Sequence, residues 1–168
     1  MKKLAALVLL LAAPAAFAQD SELYYASSAW PVHTSAGVCT VTQASGADGL
    51  LGIAHHGDEV VLTSTSSVES PLPETGKVDL ALVFLDNGRL RHDDGWGTRE
   101  FTYARSGDVY RFSTRFAGRR NVEQILADLA ASRSLGMLQQ GAVVFSFDLA
   151  DLAPSLASLR ECARGAGR

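Results

Sequence analysis

Two short stretches of the chain collect the residue types that bind metal ions or transfer protons. They contain His55, His56, Asp58, Glu59, His92, Asp93 and Asp94. Two loops that each supply a histidine and carboxylates could form a zinc site. However, His55 and His56 would point to opposite faces of an extended chain, and the sequence has no HExxH motif. We therefore expect no metal centre and interpret these stretches as solvated turns. If a metal ion were bound, His55, His56 and His92 are the candidate ligands.

Motifs for other chemistry are missing from the sequence. It has no GxSxG nucleophile motif and no SxxK followed by a second serine motif. The glycines of Gly95-Trp96-Gly97 precede a strand pattern rather than a helix, so they do not predict a phosphate-binding loop. We expect no cofactor and no catalytic residues. A small hydrolase or metal-dependent enzyme that uses the His/Asp turns is the alternative.

Arginines are concentrated in the middle of the chain. Eight of the twelve fall in one region, namely Arg89, Arg91, Arg99, Arg105, Arg111, Arg115, Arg119 and Arg120. Arg111 and Arg115 share one face of a strand, and a neighbouring antiparallel strand could bring Arg99 or Arg105 to the same surface. Guanidinium groups bind carboxylates and anionic glycans well. These four arginines are the predicted binding residues, and a solvated outer face balanced by nearby acids is the other interpretation.

The first residues have the form of a secretory signal peptide. Lys2 and Lys3 precede the apolar run 4–13, and Ala16-Phe17-Ala18 fits a cleavage site. The run is shorter than the roughly 20 residues that a transmembrane helix needs. The sequence thus predicts a signal peptide over residues 1–18 and a single periplasmic or secreted domain over 19–168, without a transmembrane segment. The net charge of −3 gives no electrostatic basis for binding nucleic acid.

The chain has two cysteines, Cys39 near its start and Cys162 near its end. In an exported protein, two cysteines most simply pair with each other. We therefore predict an intramolecular disulfide that ties the two ends of the domain together.

Alternating apolar residues predict strands along most of the chain. The apolar segment 78–85 predicts a central strand, and Asn87-Gly88 after it predicts a hairpin turn. Helical spacing predicts a helix over 122–134, capped by Asn121 and stopped by Gly136, and a second helix after Asp151. The fold class is therefore α+β, mainly antiparallel β and β-sandwich-like with seven or eight strands, with two helices near the C-terminus.

Residues at the two ends of the chain carry a family resemblance. They are Trp30 and Cys39, followed by Phe147, Leu149, Leu152, Ala157, Leu159 (offset by one or more positions) and Cys162. In this pattern the chain resembles the invasion-associated locus B family of exported proteobacterial proteins. The resemblance implies a periplasmic or secreted β-rich domain without established catalysis, and it assigns no site residues.

The leading functional hypothesis from the sequence is a non-enzymatic binding or interaction domain. Its partner would be an acidic envelope protein or an anionic glycan, held by the arginine-rich sheet face. Besides the enzyme alternative, a structural accessory of an envelope or secretion complex is a third hypothesis.

Overall fold

The structure is a computed structural model that describes residues 21–44, 49–67, 72–86 and 89–166. The predicted signal peptide and the Asn87-Gly88 turn lie outside the described residues. So do the side chains of residues 86–94, although the backbone on both sides of the turn is described.

The described chain forms ten strands and two helices. In chain order they are β1 (Glu22–Tyr25), β2 (Val32–Ser35), β3 (Val38–Thr42), β4 (Leu50–His56), β5 (Glu59–Ser66), β6 (Thr75–Asp86), β7 (Arg89–Ser106), β8 (Val109–Ala117), α1 (Arg119–Ala131), β9 (Ser134–Gln139), β10 (Ala142–Asp148) and α2 (Leu152–Ala166).

All ten strands belong to one antiparallel sheet. Their order is β1-β2-β3-β4-β5-β8-β7-β6-β9-β10. The first five strands thus lie side by side in chain order, and the next three lie beside them in the reverse of chain order, with β8 next to β5. The predicted fold class, mainly antiparallel β with two helices near the C-terminus, is confirmed. The strand count is ten in the described chain rather than seven or eight, because β1 and β9 are strands that the sequence pattern did not indicate.

The strands bury one face of the sheet, here called the inner face, and expose the other, the outer face. In β8, Tyr110, Phe112 and Phe116 are buried while Arg111 and Arg115 are exposed, as the alternation predicted. The buried side chains of the sheet and of both helices form a single hydrophobic core.

The sheet folds over so that its inner face packs on itself. Ser64 of β5 lies 3.7 Å from the sulfur of Met137 in β9, although three strands separate β5 from β9 in the sheet. The rings of Phe112 and Phe145 have centroids 5.3 Å apart and join β8 to β10 in the same way. Two layers of one sheet thus face each other, as in a β-sandwich.

The two helices cover the inner face where the first strands lie. Helix α1 packs on β5 and β8 through the predicted stripe of Val122, Ile125, Leu126 and Leu129, and α2 packs chiefly on β3. Helix α1 spans 119–131 rather than 122–134, and Gly118 rather than Asn121 is its N-cap. None of the helices in the described part of the chain is long and apolar enough to span a membrane.

Gly136 lies inside β9 instead of ending a helix. A Cβ atom at this position would lie 2.9 Å from Leu85 Cδ1 and 3.2 Å from Val83 Cγ2. The missing side chain therefore lets β9 pack closely beside β6. A glycine required for close packing resembles a helix stop in the sequence, which explains why this strand was missed.

The predicted disulfide between Cys39 and Cys162 is confirmed. It joins β3 to α2 across 123 residues of sequence, with the two Cα atoms 6.0 Å apart. Nearby, the buried Trp30 donates a hydrogen bond from its indole nitrogen to the Ala150 carbonyl at 2.8 Å. The first strands and the last helix are therefore held together both covalently and by hydrogen bonding.

Candidate functional site

Strands β7 and β8 separate part of the way along their length. Their ladder runs from the Ser106–Val109 pair to the Thr102–Ser113 pair, and no further pair joins them in the described chain. Beyond that point β8 continues to pair with β5, whereas β7 continues to pair with β6. The two layers of the folded sheet diverge here. We call this place the seam.

Two large side chains of β7 fill the space between the diverging strands. Trp96 packs edge-on against Phe84 and Phe116, with both centroid distances 5.2 Å, and its indole nitrogen donates to Asp128 of α1 at 2.9 Å. The guanidinium carbon of Arg99 lies 4.3 Å from the centroid of the Phe116 ring. This cation–π contact holds the guanidinium of Arg99 against the Phe116 ring.

The outer mouth of the seam is a cleft of about 640 Å³, which we call the seam cleft. Its lining is polar apart from one valine and consists of Val61, Thr98, Arg99, Glu100, Thr102, Ser113, Thr114 and Arg115. The hydroxyl of Thr114 donates to the Glu100 carbonyl at 3.1 Å, which bridges the strands where the ladder has ended. The cleft therefore combines hydroxyl groups with three charged side chains.

Most of the charges at the cleft are neutralised by a neighbour. Arg115 lies 3.3 Å from the Glu59 carboxylate, and Glu100 lies 2.8 Å from the Lys77 ammonium. The Glu100 carboxylate accepts a hydrogen bond from Lys77 and raises the pKa of that lysine. Arg99 differs, because its Nε is buried and finds no hydrogen-bond acceptor among the described residues. Among the described residues, Arg99 is therefore the charged side chain of the cleft that has no ionic partner.

The four predicted binding arginines do not form one cluster. Arg111 and Arg115 project from the outer face of β8, as expected. Arg99 instead lies on the inner-facing side of β7, where it contacts Phe116, and it reaches the cleft at the place where β7 and β8 separate. Arg105 lies near the hairpin turn, where its Nε donates to the Gly107 carbonyl at 2.9 Å. Of the four, Arg99 and Arg115 line the same cleft.

Thr98 and Thr114 also line the cleft, although no motif in the sequence singles them out. Their positions follow from where the β7–β8 ladder ends. That point depends on the bend of the whole sheet rather than on the local residue pattern.

The histidines of the first turn point apart. His55 is buried, at 7% exposure, and its Nε2 lies 3.1 Å from the Gly57 carbonyl, while His56 is exposed. Burial is the main cause that lowers the pKa of His55. His92 belongs to β7, but its side chain lies outside the described residues. In the described chain, no three His, Cys, Asp or Glu side chains are placed to hold a metal ion together.

Comparisons with protein-family models, with curated proteins and with solved structures found no match. The resemblance of the chain's two ends to the invasion-associated locus B family therefore stays a prediction.

Proposed function

We propose that this protein is a non-enzymatic binding domain, exported from the cell, that recognises a carboxylated glycan at the seam cleft. The observation that carries the proposal is Arg99, whose guanidinium lies 4.3 Å from the centre of the Phe116 ring in a hydroxyl-lined cleft, with its Nε unpaired among the described residues. A carboxylate matches the planar fork of an arginine and can accept two parallel hydrogen bonds from it.

The lining of the cleft favours a saccharide over a protein partner. Binding energy in protein interfaces is concentrated in buried aromatic or aliphatic anchors that fill apolar pockets. Val61 is the single apolar side chain of the seam cleft, whereas Thr98, Thr102, Ser113 and Thr114 offer hydroxyl groups. Hydroxyls on both ligand and protein can exchange hydrogen bonds, so a sugar ring with one carboxylate suits this surface.

The surrounding charges restrict where the anionic group binds. Glu100 would repel a carboxylate placed on the outer rim, even though Lys77 partly neutralises it. Arg115 is already paired with Glu59. The ligand carboxylate therefore belongs at Arg99, with the remainder of the sugar lying across the threonine and serine side chains.

Neither alternative from the sequence gains support from the described contacts. The hydrolase hypothesis required the histidines and carboxylates to converge, yet His55 and His56 lie on opposite faces of β4. No described feature points specifically to a structural accessory role.

Calorimetric titration of the purified protein with an oligogalacturonate tests the proposal. We expect measurable binding that weakens with added salt, because exposed charges are screened. Replacing Arg99→Gln should weaken binding by about tenfold or more, since hydrogen bonds to charged groups are worth roughly 1.5–3 kcal/mol. Arg105→Gln is the matched control, because it removes the same charge from the same strand and should leave the affinity unchanged.

Two further ligands make the result decisive. The methyl-esterified oligogalacturonate lacks the charge and should bind much more weakly than the free acid. Poly-glutamate tests the acidic-protein alternative. If poly-glutamate binds and oligogalacturonate does not, or if Arg99→Gln binds oligogalacturonate as the parent does, the proposal is wrong.

A further inference from the structure

A second cleft with basic side chains is lined by residues of the two helices. It has a volume of about 780 Å³, and we call it the helix cleft. Its lining consists of Arg119, Arg120, Glu123, Gln124 and Ala127 from α1 and Arg160 from α2. Three guanidinium groups thus face one carboxylate, so the cleft has an excess of positive charge.

That excess is only weakly neutralised within the described chain. Glu123 Oε2 lies 3.8 Å from Arg160 Nε, which is close enough for attraction but too far for a hydrogen bond. Arg160 Nε is buried and has no hydrogen-bond acceptor among the described residues. Asp128 of α1 accepts hydrogen bonds from Gln124 at 2.7 Å and from Trp96 at 2.9 Å, so both of its carboxylate oxygens already have donors.

Arg119 and Arg120 increase the electrostatic repulsion among the positive side chains of the helix cleft. Two adjacent positive side chains repel each other, and α1 has no acidic residue in its first turn to offset them. Arg160 brings a third positive charge from the other helix. An anion seated between the three guanidiniums would relieve this repulsion.

We propose that the helix cleft binds a phosphate group, as inorganic phosphate or as a phosphate monoester. A phosphate group carries close to two negative charges and three or more acceptor oxygens, which fits three guanidiniums offset by one carboxylate. A single carboxylate would leave donors unpaired. The volume falls in the range of small-molecule sites, so the cleft has room for the organic part of a phosphate ester. This inference is independent of the glycan proposal, because the two clefts share no lining residue.

Titration with inorganic phosphate at constant ionic strength, with chloride as the comparison anion, tests the inference. The parent should bind phosphate in preference to chloride. Arg160→Gln and the exposed double variant Arg119→Gln/Arg120→Gln should each weaken binding by about tenfold or more. Glu123→Gln should instead tighten binding, because it removes the repelling carboxylate. Since opposite directions are expected from neighbouring substitutions, a general loss of folding cannot imitate the result.

Matched controls separate this site from non-specific charge and from the seam cleft. Arg133→Gln removes one exposed arginine beyond the far end of α1 and should bind phosphate as the parent does. Arg99→Gln should also leave phosphate binding intact. Vesicles containing phosphatidic acid show whether the phosphate group belongs to a lipid or to a soluble molecule. Co-sedimentation of the protein with the vesicles identifies a lipid headgroup. Binding of inorganic phosphate without co-sedimentation identifies a soluble phosphate or phosphate ester. Absence of phosphate binding by the parent, or equal losses in Arg133→Gln and Arg160→Gln, overturns the inference.

Discussion

Two regions of the folded sheet are held together in different ways. At one end, which we call the closed end, strands β1 to β4 and helix α2 are tied by the Cys39–Cys162 disulfide and by the Trp30–Ala150 hydrogen bond. At the seam, β7 and β8 diverge, and packing and hydrogen bonds of Trp96 and Arg99 hold the layers together.

The tryptophans show the contrast most directly. Trp30 is 1% exposed, and its indole hydrogen bond goes to a backbone carbonyl across 120 residues of sequence. Trp96 is only partly buried and donates to a side-chain carboxylate on α1. One region is closed by a covalent bond, whereas at the seam β7 and β8 separate and side-chain contacts join the layers. We therefore expect the closed end to contribute more to the stability of the domain than the seam.

The largest effect should come from removing the covalent lock. Replacing both cysteines, Cys39→Ala and Cys162→Ala, should lower the free energy of unfolding by about 5 kcal/mol on the chain-entropy model, and in practice by roughly 2–5 kcal/mol. Urea unfolding of the double variant, with the reduced parent as control, measures this. A loss below about 1 kcal/mol would show that the closed end does not depend on its disulfide.

Replacing Trp30 at the closed end should lower the free energy of unfolding more than replacing Trp96 at the seam. Trp30→Phe leaves a cavity in the core and removes the hydrogen bond to the Ala150 carbonyl, so we expect a loss of roughly 2–3 kcal/mol. Trp96→Phe should cost about 1 kcal/mol, because water can reach the freed Asp128 carboxylate. Urea midpoints of the two variants make the comparison. Equal losses would remove the distinction between the closed end and the seam.

The stability of the protein should depend on pH through His55, a residue of the closed end. His55 pairs with Cys39 across the β3–β4 ladder, and burial lowers its pKa below the ordinary value of 6.5. The Gly57 carbonyl and Glu123 of α1 oppose this shift, whereas Arg160 of α2 and the neighbouring His56 add to it.

The unfolded chain takes up a proton on His55 more readily than the folded chain does. The folded state therefore has its full stability at pH values above the pKa that His55 has in the unfolded chain. It is lost as the pH falls from about 6.5 through the folded pKa. His55→Gln should flatten the stability profile between pH 7 and pH 5, as measured by thermal unfolding. A variant with the parent's slope in this range would assign the dependence to other groups.

The smallest effects on stability should come from the arginines of β7. Arg99→Gln should change the free energy of unfolding by less than about 1 kcal/mol, because its stacking on Phe116 is offset by the buried, unpaired Nε. Arg105→Gln should cost less than about 0.5 kcal/mol, in keeping with an exposed position. Loss of binding in Arg99→Gln without loss of stability would separate recognition from folding. A large destabilisation would make Arg99 part of the scaffold.

Local pattern was sufficient to predict much of this architecture. The alternation in β8 and the apolar stripe of α1 follow from residue spacing, and the pairing of Cys39 with Cys162 was predicted from the expected export of the chain. The structure contains all three. Strand β9 was misread because Gly136 serves packing against β6 rather than a helix end.

The candidate site was less accessible from the sequence. Residue parity correctly placed Arg111 and Arg115 on the outer face of β8. Parity also places Arg99 on the inner face of β7 once the register is known, but its access to the cleft depends on where the β7–β8 ladder stops. That end point arises from the folding of a ten-stranded sheet on itself, a long-range property that no short segment encodes.

Amide chemical-shift mapping during an oligogalacturonate titration tests the central claim most directly. The proposal predicts that the largest shifts cluster on residues 98–102 of β7 and 113–115 of β8. They should be absent in Arg99→Gln, and the closed end around Cys39 and Trp30 should stay unchanged. Shifts centred on any other surface, or an unchanged seam at saturating ligand, would contradict it.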